Sequence, residues 1–325
     1  MDYKSIFDIN SKAAFTKKAL ELFKFQFEEN RVYRSFCDLL YIHPSAVQKL
    51  EDIPFLPIEF FKTHKVVSSK KDIQQTFTSS GTTGNVVSQH HVADLNIYKT
   101  SFQNGFSHVY GNIKDYTILA LLPSYLEREG SSLIYMVEDM IQESKQPKSG
   151  FYLNDLDALK QTLFELETSG QKTLLIGVSY ALLDLVEFHQ FDLKHTIIME
   201  TGGMKGRRKE LIKSELHAIL KKGFGVDKIH SEYGMTELLS QAYSKGDGLF
   251  STPPWMKVLI RDPEDALTVL PKGKSGGINV IDLANVHSCA FIATQDLGKI
   301  HENGTFEVLG RFDQSDIRGC NLMVL

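Results

Sequence analysis

A run of small residues, Thr78-Ser79-Ser80-Gly81-Thr82-Thr83-Gly84, carries the clearest chemical signal in this sequence. Every residue in it is a glycine or bears a hydroxyl group. Glycine allows the backbone to approach a ligand closely, and hydroxyl and backbone N–H groups donate hydrogen bonds to phosphate oxygens. Because residues 73–77 favour a strand, we expect the run to be a loop that leaves a strand and holds the phosphates of a nucleotide.

The run does not fit the two common glycine-rich phosphate motifs. A Walker loop needs Lys and Ser or Thr directly after its last glycine, whereas Asn85 and Val86 follow Gly84 here. The Gly-x-Gly-x-x-Gly fingerprint of dinucleotide sites is also absent from the run. A plain Ser/Thr/Gly surface linker is the alternative for the run taken alone.

A second segment, Ser231-Glu232-Tyr233-Gly234-Met235-Thr236-Glu237, offers groups suited to a base and a metal ion. A tyrosine ring can stack on a base, and the glycine beside it keeps the backbone clear. The Thr236 hydroxyl and the Glu237 carboxylate are hard oxygen ligands of the kind that Mg²⁺ prefers. The alternative is a turn before a helix that Thr236 caps.

Two shorter segments follow. Asp296 lies after the apolar residues 290–293 and before a glycine turn, so its carboxylate could accept hydrogen bonds from both hydroxyls of a ribose. Arg311 follows Gly310 and adds a cation near the end of the chain. Each of these two segments is common in proteins when taken alone.

The four segments together, in this order, resemble the adenylate-forming superfamily of acyl-CoA synthetases, aryl-CoA ligases and luciferase. The sequence is most similar to its bacterial acyl-protein synthetase branch, the synthetase of the luminescence fatty-acid reductase complex. The strings that carry this closer resemblance are Ser79-Ser80-Gly81-Thr82-Thr83-Gly84, Pro123-Ser124-Tyr125-Leu126-Glu127-Arg128, Glu200-Thr201-Gly202-Gly203-Met204-Lys205-Gly206-Arg207-Arg208, Glu232-Tyr233-Gly234-Met235-Thr236-Glu237 and Arg318-Gly319-Cys320.

The resemblance implies an ATP- and Mg²⁺-dependent ligase that converts a carboxylic acid, expected to be a fatty acid, into an acyl-adenylate. The acyl group would then pass to a thiol, such as a cysteine of a reductase-like partner protein. It also implies roles for individual residues. ATP would contact Thr78, Ser79, Ser80, Gly81, Thr82, Thr83, Gly84, Gly202, Gly203, Tyr233, Gly234 and Asp296; Mg²⁺ would contact Thr83 and Glu237; Thr236 would contact phosphate or the acyl carboxylate, and Arg311 would assist near the ribose or the hinge.

Cys320 is a candidate acyl carrier. Arg318 and Gly319 precede it, and a nearby cation favours the thiolate. The resemblance implies that the acyl group is carried on a cysteine near the C-terminus. The alternative is a small buried residue in a final strand, which is also the interpretation for Cys37 and Cys289 in their apolar runs.

His90 is the better candidate of the His90-His91 pair, since it follows the phosphate loop and could reach a phosphate or the acyl carboxylate. A structural role is the alternative, because a carboxylate is already ionised at neutral pH and adenylation needs no base.

Two departures from the superfamily pattern leave other functions open. The loop reads Asn85-Val86-Val87 where most relatives have Pro-Lys-Gly, so it lacks a lysine. The chain also continues for only 15 residues beyond Gly310, so we expect no mobile C-terminal domain. An acyl- or aryl-CoA ligase, or a non-catalytic relative that binds nucleotide or docks a partner, therefore remain alternatives.

Composition favours a cytoplasmic enzyme. The 325 residues are 42% hydrophobic, which is enough for a large core, and 36 basic residues against 40 acidic ones require no nucleic-acid partner. The three cysteines are far apart, which argues against a disulfide framework and a zinc site. No apolar leader opens the chain, and the longest apolar stretch, residues 174–183, is too short to span a membrane.

The elements that position these residues alternate between strands and helices. Helical spacing covers residues 11–29, and buried strands are expected at 116–122, 173–178 and 195–199 with helices after the last two. Short β-rich runs and an Asn303-Gly304 hairpin signal follow residue 249. We therefore expect an α/β fold, with α/β lobes of helix-covered β-sheets over residues 1–250 and a small β-rich subdomain over residues 251–325.

Overall fold

The computed structural model describes residues 4–80, 86–123, 130–202 and 211–312. Its helices are α1 (Lys12–Glu29), α2 (Arg31–Leu39), α3 (Phe60–Thr63), α4 (Leu95–Tyr110), α5 (Ser132–Ser144), α6 (Leu156–Ser169), α7 (Ser179–Phe188) and α8 (Lys213–Phe224). Its strands are β1 (Leu56–Pro57), β2 (Gln75–Thr78), β3 (Gln89–Val92), β4 (Thr117–Leu121), β5 (Gly150–Phe151), β6 (Thr173–Val178), β7 (Thr196–Thr201), β8 (His230–Tyr233), β9 (Ala242–Ser244), β10 (Phe250–Ser251), β11 (Met256–Arg261), β12 (Val269–Leu270), β13 (Ser275–Asp282), β14 (Phe291–Ile300) and β15 (Phe306–Arg311).

The chain forms two compact units, residues 71–253 and residues 1–70 together with 254–325. This division differs from the expected one, because the N-terminal segment joins the β-rich unit. The physical reason is a set of buried hydrogen bonds from α1 and its C-cap. Gln26 donates to the carbonyl of Asn285 at 2.7 Å and accepts from the backbone N–H of Ala290, and Asn30 donates to the carbonyl of Ser288 at 3.0 Å.

In the unit of residues 71–253, the strands lie in the order β10-β9-β8-β7-β6-β4-β5. The pairs from β8 to β5 are parallel, and β9 and β10 continue the sheet in antiparallel fashion. Strands β4 and β6 are buried at every position, as expected of parallel strands that helices cover on both faces. The expected α/β fold is confirmed, and the parallel strands point their carboxyl ends to one edge of this sheet.

Two helices cover opposite faces of the β7–β8–β9 part of this sheet. On one face, the rings of Phe106 and Tyr110 from α4 contact the ring of Tyr243. On the other face, α8 carries Lys213, whose ammonium lies 2.8 Å from the carboxylate of Glu200 on β7. We call these the α4 face and the α8 face.

The second unit is built on an antiparallel sheet in the order β12-β11-β13-β14-β15, with β1 parallel to β14. Phe291 of β14 packs its ring against Phe23, Tyr33 and Phe55, which anchors the N-terminal helices on this sheet. The expected hairpin joins β14 and β15, and Gly304 in its turn has φ = 88°, a left-handed conformation that glycine adopts without strain. No helix among the described residues is long and apolar enough to cross a membrane.

Candidate active site

The β2–β3 hairpin forms the stem of the Ser/Thr/Gly run. Thr78 donates its backbone N–H to the carbonyl of Gly130 at 2.7 Å, and Ser79 donates to Ser88 at 3.1 Å. The Ser79 hydroxyl accepts from the N–H of Ser88 at 3.0 Å, while Ser80 is exposed. Thr78 and Ser79 therefore anchor the start of the run through their backbones. The remaining predicted phosphate ligands, Gly81, Thr82, Thr83 and Gly84, lie outside the described residues.

His90 lies on β3, opposite Phe77, and is fully buried. Its Nδ1 donates a hydrogen bond to the backbone carbonyl of Thr236 at 2.8 Å. Burial lowers the pKa of His90 to about 4, although the bond to Thr236 opposes this shift. The imidazole is therefore neutral near pH 7, and its geometry ties the phosphate-loop stem to the second motif. This contact agrees with the structural alternative for His90.

The turn after β8 carries Thr236 and Glu237. The N–H of Leu238 bonds to the carbonyl of Met235 at 3.1 Å, and the chain continues to β9 without a helix, so the alternative in which Thr236 caps a helix is wrong. Glu237 is 5% exposed. The hydroxyl of Ser240, three residues further on, lies 3.0 Å from the Ser101 hydroxyl of α4, which fixes the turn against that helix.

The donor set at this turn suits Mg²⁺. Magnesium sites in nucleotide enzymes use one or two carboxylates, and phosphate oxygens and waters complete the octahedron. Glu237 supplies such a carboxylate. The described residues contain no group of three or more His, Cys, Asp or Glu side chains placed to hold a metal by themselves, so phosphate oxygens would have to share the ion.

Two buried carboxylates end the neighbouring parallel strands β7 and β8, and they face opposite ways. Glu200 on the α8 face lies 2.8 Å from the Lys213 ammonium and 3.5 Å from Nε2 of His217. Burial alone would raise the pKa of Glu200, but His217 and Lys213 outweigh it and hold the pKa below its ordinary value. Glu200 is therefore an ionised, cation-paired carboxylate.

Glu232 lies on the α4 face, where Thr201 donates a hydrogen bond to Oε2 at 2.5 Å. Burial raises the pKa of Glu232 to about 7; the Thr201 hydroxyl opposes this shift and the charge of Glu200 adds to it. Oε1 lies over Gly234, because a Cβ on that glycine would stand 2.4 Å from it. A Cβ at position 234 would therefore displace the Glu232 carboxyl, which is a reason for a glycine at this position of the motif.

Gly202 and Tyr233 also lie at the carboxyl ends of these strands. Gly202 has φ = 67° directly after β7, and its carbonyl accepts a hydrogen bond from the Ser179 hydroxyl at 2.8 Å. The ring of Tyr233 contacts the ring of Phe250 with centroids 5.9 Å apart. Gly203 lies outside the described residues. Ligands of open α/β sheets bind at this edge, so these residues stand where a nucleotide is expected.

The β-rich unit contains a separate pair of predicted residues. Asp296 on β14 and Arg311 on β15 are directly opposite in the ladder. Arg311 Nε donates to Asp296 Oδ1 at 3.2 Å, and the arginine side chain is 79% exposed while the aspartate is 11% exposed. The backbone N–H of Asp296 bonds to the Thr294 hydroxyl at 3.1 Å. The resulting pair presents a largely shielded carboxylate beneath an exposed cation.

Cys37 and Cys289 are both fully buried, as the sequence predicted. Burial raises the pKa of Cys37 to about 12 and raises that of Cys289 as well. Neither forms a thiolate near neutral pH, so neither is suited to accept an acyl group. Cys320 lies outside the described residues.

A cavity of about 410 Å³ lies elsewhere in the unit of residues 71–253. Lys228, Tyr243 and Lys245 are among the residues that line it. Lys228 precedes β8, whereas the Thr236–Glu237 turn follows β8. The cavity is therefore at the other end of this strand and is not the predicted nucleotide site.

Sequence reasoning did not single out four residues that the structure places beside the motifs: Thr201, Lys213, His217 and Gln241. It quoted Glu200 and Glu232 only as letters of matching strings. A usable signal existed, because both glutamates end β-rich runs, and polar groups at the ends of parallel strands are common in ligand sites. The partners on α8 could not be found this way, since they come from a different element.

Comparison with known proteins gives a match between residues 7–325 and the model of the family described as "Acyl-protein synthetase, LuxE". Two curated relatives are both called "Long-chain-fatty-acid--luciferin-component ligase". The protein of Vibrio harveyi is 24% identical, over 92% of this chain and 84% of its own length. The protein of Aliivibrio fischeri is 25% identical, over 94% of this chain and 86% of its own.

Solved structures share the fold. The 2-hydroxyisobutyryl-CoA ligase in an open conformation has a TM-score of 0.64 and 13% identity, with 93% of this chain and 70% of that chain covered. ATP-bound MatB from Rhodopseudomonas palustris has a TM-score of 0.55 and 19% identity over 75% of this chain, which spans 49% of MatB. The family match covers nearly the whole sequence, and so this chain belongs to the acyl-protein synthetase family LuxE.

Proposed function

We propose that this protein is an ATP-dependent ligase that activates a carboxylic acid and passes the acyl group to a thiol. The acid carboxylate attacks the α-phosphorus of ATP, and pyrophosphate leaves to give an acyl-adenylate. A thiolate then attacks the acyl carbon, and AMP leaves with the electron pair of the broken C–O bond. The relatives' names support a long-chain fatty acid as the substrate.

The observation that carries this proposal is the His90–Thr236 hydrogen bond of 2.8 Å. It joins the stem of the phosphate loop to the Thr236–Glu237 turn, although the two residues are 146 positions apart in sequence. Catalysis of transfer at phosphorus is mainly positioning and charge stabilisation. In this proposal the loop positions the phosphates, and the turn holds the cation that stabilises their charge. A neutral imidazole suits this task because it adds no charge to the site.

Within this function, Glu237 and Thr83 hold Mg²⁺, which neutralises phosphate charge when bound. Thr236 contacts a phosphate or the acyl carboxylate, and the backbone around Tyr233 and Gly234 meets the adenine. The residues from Thr78 to Gly84 contact the phosphates, with Gly202 and Gly203 nearby on the nucleotide. Asp296 holds the ribose hydroxyls and Arg311 assists there.

The acceptor is a thiol. Cys37 and Cys289 are buried with raised pKa values, which leaves Cys320 and a cysteine of a partner protein as the proposed acceptors. The relatives act on a "luciferin component", which supports a protein partner of the reductase type. The proposed location is the cytoplasm, where ATP is available.

The experiment is ATP–pyrophosphate exchange with purified protein, Mg²⁺ and a panel of fatty and aryl acids. We expect exchange that depends on the acid and on Mg²⁺. Glu237→Ala should reduce the exchange rate by at least about 100-fold, since a metal ligand that acts on developing charge is lost. Glu215→Ala, an exposed glutamate on α8, is the matched control and should retain full activity.

Different results would change the proposal in defined ways. Normal exchange by the Glu237→Ala protein would remove the metal assignment, and no exchange with any acid would contradict the ligase function of the isolated chain. A pantetheine-dependent product formed without any protein acceptor would instead identify a CoA ligase.

A further inference from the structure

Strand β14 bulges where it carries Asp296. The register of the β13–β14 ladder shifts between Gly277 and Asn279, so that residues 294–296 of β14 lie opposite Ile278 alone. A bulge interrupts the ladder of backbone hydrogen bonds and changes the direction of a side chain, and bulges are common next to active sites. The direction of the Asp296 carboxylate therefore depends on what holds residues 294–296, which we call the Asp296 bulge.

Arg261 of β11 supplies hydrogen-bond donors at the Asp296 bulge. Its Nη1 donates to the carbonyl of Ile278 at 2.8 Å and to Oδ1 of Asn279 at 3.0 Å. Its Nη2 donates to the carbonyl of Thr294 at 2.6 Å. Because β13 lies between β11 and β14, the guanidinium reaches past one strand to hold the next. A planar group with several donors in a fixed fork suits this task.

Gly277 leaves the space that the guanidinium occupies. A Cβ at this position would stand 2.5 Å from Cζ of Arg261, and Gly277 does not have a positive φ that would itself favour glycine. The guanidinium also lies 5.4 Å from the centroid of the Phe312 ring, and the N–H of Phe312 bonds to the carbonyl of Gln295 at 2.8 Å. Arg261 thus contacts both the Asp296 bulge and the residue that follows Arg311.

Thr294 links Arg261 to Asp296. The Thr294 hydroxyl donates to the carbonyl of Ile278 at 2.9 Å and accepts from the backbone N–H of Asp296 at 3.1 Å. Arg261 donates to the carbonyls of the same two residues, Ile278 and Thr294. Thr294 is 2% exposed and Asp296 is 7% exposed. One continuous and largely buried hydrogen-bond network therefore runs from the guanidinium to the backbone of Asp296.

We propose that Arg261 is a positioning residue for Asp296, because it holds the Asp296 bulge so that the carboxylate is directed at the ribose hydroxyls of ATP. This inference rests on the proposed function and deepens it, since it names a residue that acts on ribose recognition through Asp296. Loss of the guanidinium would keep the carboxylate but change its direction.

The test compares ATP with 2′-deoxy-ATP and 3′-deoxy-ATP in acid-dependent pyrophosphate exchange. The ratio of kcat/KM for ATP to that for each analogue measures recognition of one ribose hydroxyl. We expect wild type to prefer ATP by about tenfold or more, since a site built to hydrogen-bond a hydroxyl discriminates against its absence. Asp296→Ala should bring the ratio close to one. Arg261→Met should reduce it at least about threefold, and so should Arg261→Lys, because an ammonium group lacks the fork that holds all three acceptors.

Lys257→Met is the matched control, because it removes another half-buried cation from β11 and should keep the wild-type ratio. Gly277→Ala tests the same contact without removing the arginine, since the added Cβ would displace the guanidinium and lower the ratio. This variant decides the question if the Arg261 variants do not fold. A wild-type ratio in Arg261→Lys and Gly277→Ala proteins that are less stable in urea would show that Arg261 supports only the fold, and would overturn the inference.

Isothermal titration with ATP and its two deoxy analogues separates the inference from the proposed function. If no acid supports exchange, the ligase function fails, and the binding data alone decide the role of Arg261. A preference for ATP that wild type shows and Arg261→Lys loses would support the inference. Equal preference in both proteins, or no preference in wild type, would overturn it.

Discussion

Glu200 and Glu232 are two buried carboxyl groups on neighbouring strands of one sheet, yet their pKa values are shifted in opposite directions. Glu200 is 3% exposed and has Lys213 and His217 beside it, which lower its pKa. Glu232 is 8% exposed, accepts one hydrogen bond from Thr201, and has a pKa near 7. Burial is nearly the same for both, so the neighbours on each face of the sheet decide the direction of the pKa shift.

The comparison separates two uses of a buried carboxylate. On the α8 face, the Glu200 cluster ties β7 to α8 and satisfies its own charge, as a structural ion pair does. On the α4 face, Glu232 accepts a hydrogen bond from Thr201. This bond and the charge of Lys213 lower its pKa by less than burial raises it, so the pKa stays near neutral pH. Perturbed pKa values at the ligand edge of a sheet are typical of functional groups.

The largest expected effect is a pH-dependent difference between wild type and Glu232→Gln. In the folded protein the pKa of Glu232 is raised from 4.5 to about 7, so its carboxyl contributes stability fully below pH 4.5 and loses it as the pH rises through 7. The glutamine variant lacks this titration. Between pH 4.5 and pH 8, the free energy of unfolding of wild type should therefore fall by about 3 kcal/mol relative to Glu232→Gln.

Urea unfolding at several pH values measures this difference, with Glu215→Gln as the exposed control. Glu200→Gln should show the opposite trend. The lowered pKa of Glu200 gives stability that is present above pH 4.5 and lost as the pH falls below it, so the variant should be weakest relative to wild type at pH 8. If the free energies of unfolding of the two variants, relative to wild type, changed with pH in the same direction, the proposed difference between the two faces would be wrong.

The second-largest expected effect is the loss of stability when the ammonium group of Lys213 on the α8 face is removed. Lys213→Met removes the ammonium 2.8 Å from Glu200 and leaves a buried carboxylate beside His217 and the hydroxyls of Ser179 and Ser231. We expect a loss of about 2 kcal/mol in the free energy of unfolding at pH 8, because an uncompensated buried charge is destabilising, and a smaller loss at pH 5.

Lys222→Met, an exposed lysine on the same helix, is the control for the general effect of removing a charge from α8. A loss for Lys213→Met no larger than that of Lys222→Met would mean that Glu200 does not depend on its cation. The two buried carboxylates would then differ in pKa for another reason.

The local parts of the fold were predictable from sequence. Strand β6 was predicted at its observed bounds, because its six residues are apolar or β-branched and charged or turn residues flank them. The hairpin at Asn303-Gly304 was predicted because that dipeptide favours the left-handed turn. These features depend on neighbours in sequence, which pattern reasoning can use.

The tertiary parts were not predictable. The Gln26 side chain donates a hydrogen bond to the carbonyl of Asn285, which is 259 positions away in sequence. No periodicity in either segment predicts this contact. The same holds for His90 and Thr236 in the site. The motifs located the residues of the site, but which of them would touch depends on strand order and on the face of the sheet. No strand was predicted within the segment 231–237, whereas its first three residues belong to β8, and the strand determines which face of the sheet Glu232 lies on.

The smallest expected effect is that of Gly234→Ala on the free energy of unfolding, which tests why the second motif contains a glycine. Gly234 does not have a positive φ, so its backbone does not require glycine. Instead, a Cβ would stand 2.4 Å from Glu232 Oε1 and force the carboxyl away from Thr201. We expect Gly234→Ala to lower the free energy of unfolding by about 1 kcal/mol, since the end of a side chain can move but loses a hydrogen bond.

A double-mutant cycle gives the decisive measurement. In a Glu232→Ala background the clash is absent, so Gly234→Ala should cost nothing or add stability, because alanine restricts the unfolded chain more than glycine does. The same cost in both backgrounds would show that the carboxyl is not the reason for the glycine. If stability is restored in the double variant while pyrophosphate exchange stays low, then the α4 face serves the substrate as well as the fold.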